Sequence, residues 1–175
     1  DYANRHYVPT WYSNDKELIN DPDINAIYIA APPAFPEEYT LAAIKAGKSV
    51  YVEKPMSLNY KAAQKMYLAA EEHQVKLVVA HYRREWPLFK KIKELVDAGT
   101  IGDIRMVKLV YDKPALTAAE LADEKIAWRV NPAISGGGLF HDLAPHQLDI
   151  MYHLFGDTKR IQGIATKQAG TYEAH

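Results

Sequence analysis

Two short stretches bring together residue types that can do chemistry. The first is residues 46–55, AGKSVYVEKP, in which Glu53, Lys54 and Pro55 close a short apolar run. If that run is a buried parallel strand, the two opposite charges stand at its carboxyl end, where open parallel sheets bind ligands. The alternative is a surface ion pair, worth under about 1 kcal/mol. The second stretch is residues 135–153, SGGGLFHDLAPHQLDIMYH. Pro145 has no N–H and suits a first helical turn, which predicts a helix starting close to Asp142. Residues 142, 146, 149 and 153 then share one helical face. A carboxylate one turn from an imidazole suits general acid/base work: the acid orients the ring, and the ring titrates near neutral pH.

Three readings compete for that face. His146, Asp149 and His153 have ligand-like spacing for a metal, but such spacing is common by chance. A structural helix with locally bonded polar groups is the second reading, and an acid/base site is the third. The triple glycine at 136–138 permits close backbone approach of a ligand or partner. No Lys-Ser/Thr follows it, so it is not a Walker-type phosphate loop. His81, Arg83 and Arg84 follow a third buried run, although arginines there often bind a neighbouring carboxylate. Trp128 and Arg129 could stack on and hydrogen-bond a polyol, or lock a loop onto the core.

The elements that must position these residues follow from punctuation and period. Residues 24–31 (INAIYIAA), 49–52 (SVYV) and 76–80 (KLVVA) read as strands covered on both faces, as in a parallel sheet. A helix with Pro36 in its first turn and Gly47 as terminator separates the first two. A helix capped by Ser57 or Asn59 and striped by Ala62, Met66, Ala69 and Ala70 separates the next two. Phe89, Ile92, Leu95 and Val96 mark another helix, closed by Gly99, and residues 15–19 a short one leading in. This alternation predicts a βαβ-type parallel sheet. Beyond Gly102 the texture changes: residues 104–111 read as a strand with one exposed face, and 112–131 carry no strong period except an alanine-rich, acidic stretch at 117–124. A helix ending near Phe155 and a strand-like run at 160–166 complete the chain. A domain boundary is expected near 84–102, giving domains 1–84 and 85–175.

Composition narrows the field. The 175 residues hold 21 Lys+Arg against 22 Asp+Glu, for a net charge of −1, and the mean hydropathy is −0.31. Cysteine is absent, which excludes thiolate nucleophiles, disulfide frameworks and Cys-bound metals. Balanced charge gives no pull toward nucleic acid or anionic lipid, and no apolar run is long enough to span a bilayer. Without an export signal the expected location is the cytoplasm. Neither G-x-S-x-G nor H-E-x-x-H occurs.

Taken together, these phrases resemble the glucose–fructose oxidoreductase/inositol dehydrogenase (Gfo/Idh/MocA) family. The matching pieces, in order, are residues 21–33 (DPDINAIYIAAPP), residues 46–55, Arg84 with Pro87, residues 99–102 (GTIG), Trp128-Arg129, and residues 135–149. The resemblance implies a dinucleotide-binding Rossmann domain, here without its first strands, followed by the start of an α/β domain on an open, mostly antiparallel sheet. It implies NAD or NADP as cofactor and hydride transfer at a hydroxyl/carbonyl carbon of a sugar, polyol or related small molecule. The family's catalytic Lys, Asp and His fall on Lys54, Asp142 and His146. Ala31, Pro32, Pro33, Glu53, Lys54, Pro55, His81 and Arg84 fall along the cofactor, and Trp128 and Arg129 beside the substrate. No metal is implied, and a homo-oligomer is.

The departures are specific. The family's G-x-G-x-x-G turn is absent, so the helix N-terminus that holds the pyrophosphate is missing. Pro36 and Tyr82 stand where family members often carry His and Asn. The chain thus reads as the middle of a longer protein. Two other activities stay open: the family branch that cleaves glycosides with NAD, and a non-catalytic binding or assembly module.

Overall fold

The structure, a computed structural model, describes residues 2–166. It divides after Ala80 into two compact units. The first contains α1 (Tyr2–Arg5), α2 (Asp15–Asn20), β1 (Ala26–Ile29), α3 (Pro36–Lys45), β2 (Ser49–Val52), α4 (Tyr60–Glu72) and β3 (Leu77–Val79). The three strands pair in parallel in the order β1-β2-β3, with Tyr28 opposite Tyr51 and Tyr51 opposite Val78. Each crossover is a helix, as parallel pairing requires.

Local chemistry sets the boundaries of these crossovers. Pro36 opens α3 with Glu37 and Glu38 in its first turn, the arrangement that the helix dipole favours. Gly47, at φ +73°, follows the helix end in a conformation that glycine adopts without steric cost. Asn59 caps α4, its Oδ1 accepting from the Ala62 N–H at 3.0 Å. The Ser57 hydroxyl instead donates to the Asn59 carbonyl at 2.9 Å. Lys48 donates to the carbonyls of Asp21 and Ile24, at 2.8 and 2.6 Å, and so ties down the approach to β1.

The strands differ from expectation in their faces. Ile27, Ile29, Val50 and Val52 join Ala43, Ile44 and Ala70 in the core. Alternate residues point the other way, and Tyr28, Tyr51 and Val78 are exposed. The continuous apolar reading of residues 24–31 is thereby corrected to one covered face. The two tyrosines meet across the strands with their rings tilted by 33° and centroids 5.4 Å apart.

The second unit holds a 3₁₀ turn η1 (Tyr82–Glu85), α5 (Pro87–Asp97), α6 (Ala118–Ala122), α7 (Glu124–Ala127), a 3₁₀ turn η2 (Trp128–Val130), α8 (Pro132–Ser135) and α9 (Gly138–Phe155). The long helix α9 organises the unit, packing against α5, η1, η2 and α8. Three expectations are corrected here. Pro145 lies inside α9, so the helix begins one turn before Asp142. Residues 118–122 and 124–127 form two short helices, the first opened by a capping box between Thr117 and Glu120. Those hydrogen bonds from Thr117 hold the Glu120 carboxyl below its ordinary range. Residues 104–111 and 160–166 form no strand among the described residues. A lone extended segment has no ladder to join, and Met106, Val110 and Tyr111 stand exposed.

Candidate active site

In the first unit the candidate residues cluster where the strands end. Ala31, Pro32 and Pro33 follow β1, with Pro33 buried and a turn closed by the Phe35 N–H donating to the Pro32 carbonyl at 3.0 Å. Glu53 follows β2, its N–H donating to the Ile29 carbonyl at 2.9 Å. Its carboxylate is engaged at both oxygens. Oε1 accepts from the Tyr28 hydroxyl at 2.5 Å, and Oε2 from the Lys54 backbone N–H at 3.2 Å. This anchor pushes the Tyr28 phenol up to about 12, because a nearby carboxylate favours the protonated donor. The bond to Glu53 is thus made by the backbone of Lys54, and the Lys54–Pro55 peptide is cis.

In the second unit the predicted face of α9 is real. His146 and Asp149 are buried and Asp142 is half-buried. Each carboxylate meets an arginine. Arg84, from η1, donates through Nε to Asp149 Oδ2 at 3.0 Å and through a second guanidinium nitrogen to Oδ1. His81 Nδ1 lies 3.9 Å from the same Oδ1. The Asp149 carboxylate raises the Arg84 pKa further. Arg129, from η2, places Nε 3.4 Å from Asp142 Oδ2. Its guanidinium also stacks 4.7 Å from the Trp128 ring centre and donates to the Lys125 carbonyl at 2.9 Å. The Trp128 indole N–H donates to that same carbonyl at 3.0 Å. Trp128 and Arg129 therefore brace one turn of chain beside Asp142. The Tyr82 and His146 rings form a T-shaped pair, with centroids 5.6 Å apart.

The triple glycine has a backbone explanation. Gly136 and Gly138 adopt φ of +80° and +64°, and a Cβ on Gly137 would lie 3.1 Å from that of His141. Among the described residues no group of three His, Asp or Glu side chains could hold a metal ion, and both oxygens of Asp149 are taken by Arg84. No helix among them is long and apolar enough to cross a membrane. The two arginine–carboxylate pairs are what sequence reasoning left unassigned. A carboxylate on the inward face of a helix was the available signal, since such a group needs a cation or several donors.

Residues 1–81 match the family described as "Oxidoreductase family, NAD-binding Rossmann fold", and residues 89–175 match the GFO/IDH/MocA C-terminal domain. The chain belongs to the Gfo/Idh/MocA family of oxidoreductases. A curated relative, Oxidoreductase P35 of Formosa agariphila, is 45% identical over 168 residues, covering 96% of this chain and 52% of its own length. The scyllo-inositol 2-dehydrogenase (NADP(+)) IolW of Bacillus subtilis is 34% identical, covering 83% of this chain and 39% of its own. Among solved structures, levoglucosan dehydrogenase in complex with NADH and levoglucosan superposes with a TM-score of 0.76 at 29% identity, over 89% of this chain and 41% of that one. The chain spans about half the length, or less, of the curated relatives it matches. As a Gfo/Idh/MocA member, its first unit is the β1-β2-β3 part of an NAD-binding Rossmann domain, with strands adjacent in sequence order as in the second half of that fold.

Proposed function

We propose that this Gfo/Idh/MocA chain serves an NAD(P)-dependent oxidoreductase acting on a hydroxyl/carbonyl carbon of a sugar, polyol or related small molecule. The observation that carries the reading is a buried His146 on the same face of α9 as Asp142 and Asp149, each carboxylate paired with an arginine. The named relatives act on an inositol and on levoglucosan, which supports a polyhydroxylated substrate.

The residues present fit one part of a dinucleotide. The carboxyl ends of parallel strands are where such a ligand lies; Ala31–Pro33 supply small side chains and a turn there, and Glu53–Pro55 a carboxylate anchored by Tyr28, an ammonium and a proline. These residues would hold the nicotinamide side, with His81 near the same end of the chain's third strand in sequence. The 175 residues contain no glycine-rich pyrophosphate turn. When bound, the nicotinamide supplies the hydride acceptor or donor.

The chain's own residues supply the proton chemistry. His146 takes the proton from the substrate hydroxyl during oxidation and returns it during reduction. The Lys54 ammonium holds the substrate oxygen and stabilises the negative charge developing there. Asp142, fixed by Arg129, orients the polar end of the site. Trp128 and Arg129 act by bracing that carboxylate. The reading is tested by supplying the protein at its full natural length with NAD or NADP and a panel of inositols, anhydrosugars and aldoses. Nicotinamide reduction dependent on one of these is expected. Full cofactor binding without reduction by any of them would count against it.

A further inference from the structure

We propose that the 3₁₀ turn η1 is a positioning strap for His146, in which Arg84 acts through Asp149 and Tyr82 acts on the imidazole itself. The inference rests on the acid/base reading of His146.

The geometry that carries it is a paired contact. Tyr82 and Arg84 are two residues apart in one turn, and their targets, His146 and Asp149, are three apart on one face of α9. A bidentate guanidinium–carboxylate bond fixes orientation as well as distance, so the Arg84–Asp149 bond restrains η1 against rotation on the helix. Tyr82 is thereby held with its ring steeply inclined to that of His146, at an interplanar angle of 72°. The ring then closes off one direction in which the imidazole could turn.

The helix needs such support at this point. Pro145 immediately precedes His146 and has no N–H, so the His141 carbonyl receives no bond from the position one turn ahead. The turn of α9 that leads into the imidazole therefore lacks one backbone hydrogen bond. Asp149 lies just beyond the interruption, so a clamp there ties the far side of the weak turn to η1. A general base must stay within hydrogen-bond reach of its proton, and the strap supplies that fixity from outside the helix.

The test uses the full-length protein labelled with ¹³C-histidine, the His146 resonances being assigned from the spectrum of His146→Gln. Arg84→Gln is expected to move the His146 ring resonances, because the tyrosine ring current no longer falls on them in one geometry. The same variant should lower kcat by about 10- to 100-fold. Exchanging the partners, Arg84→Asp with Asp149→Arg, should return both readouts toward wild type. If Arg84→Gln does not fold, Arg84→Lys keeps the charge without the fork and should show the same changes in smaller degree. His146 resonances and kcat at wild-type values in Arg84→Gln or in Arg84→Lys would overturn the strap. Wild-type turnover in His146→Gln would instead remove the acid/base reading, and the resonance shifts would still decide whether the strap exists.

Discussion

Arg84 grips Asp149 through Nε and a terminal nitrogen on one edge of its guanidinium, and the two side chains are unequally buried: Asp149 is 7% exposed and Arg84 41%. That inequality has a consequence. Removing Arg84 leaves a carboxylate buried without its cation, whereas removing Asp149 leaves a guanidinium that can turn toward water. Loss of one partner from a buried pair costs about 3–5 kcal/mol, and Arg84→Ala should fall near the lower end. Asp149→Ala should cost clearly less. Urea unfolding of both variants checks the order, and an equal or reversed ranking would contradict it.

The Tyr28–Glu53 bond makes a prediction about alkali. Tyr28 is pushed from its ordinary value of 10 to about 12, chiefly by its hydrogen bond to Glu53. A group raised on folding contributes its stability below the unfolded value and loses it as the pH rises through the folded one. The bond between β1 and the end of β2 is therefore fully present below pH 10 and lost toward pH 12. Tyr12 is also raised, by its hydrogen bond to Asp21, so ultraviolet titration should show a late-ionising component of which the Tyr28 part is lost in Tyr28→Phe and moves to lower pH in Glu53→Gln.

Gly138 offers a backbone test. Its φ of +64° costs an L-residue about 1–2 kcal/mol, so Gly138→Ala should destabilise by that amount. Gly163 has open space around the position of a Cβ, and Gly163→Ala should stay within about 0.5 kcal/mol of wild type. Thermal unfolding of the pair separates strain from a general intolerance of alanine.

The cap of α4 is the fourth. Asn59 Oδ1 is the acceptor for the Ala62 N–H, and Asn59→Ala should cost about 1 kcal/mol, while Asn59→Ser or Asn59→Asp should retain most of it. Equal losses in all three would show that the cap contributes nothing.

Much of the scaffold was legible because its signals are local. β2 occupies the four residues read from SVYV, α3 opens on Pro36, and α4 follows directly on its Asn59 cap. The helical phase of Asp142, His146 and Asp149 followed from spacing alone. What failed depended on partners distant in sequence. Tyr28 counts as apolar in a composition window, yet its hydroxyl seeks Glu53, 25 residues on. Pro145 lies within α9 because tertiary packing carries the helix through a missing bond. Residues 104–111 have the alternation of a strand without a ladder among the described residues. The Arg84–Asp149 bond spans 65 residues, and spacing carries no information over that distance.

The most direct test of the account is turnover in two variants of the full-length protein, measured with a substrate that reduces the nicotinamide. Lys54→Met and His146→Ala should each lower kcat by at least about 100-fold, the lower range for loss of a general acid or base, with cofactor binding retained. Unchanged turnover in either variant would contradict the assignment of that residue to the chemistry.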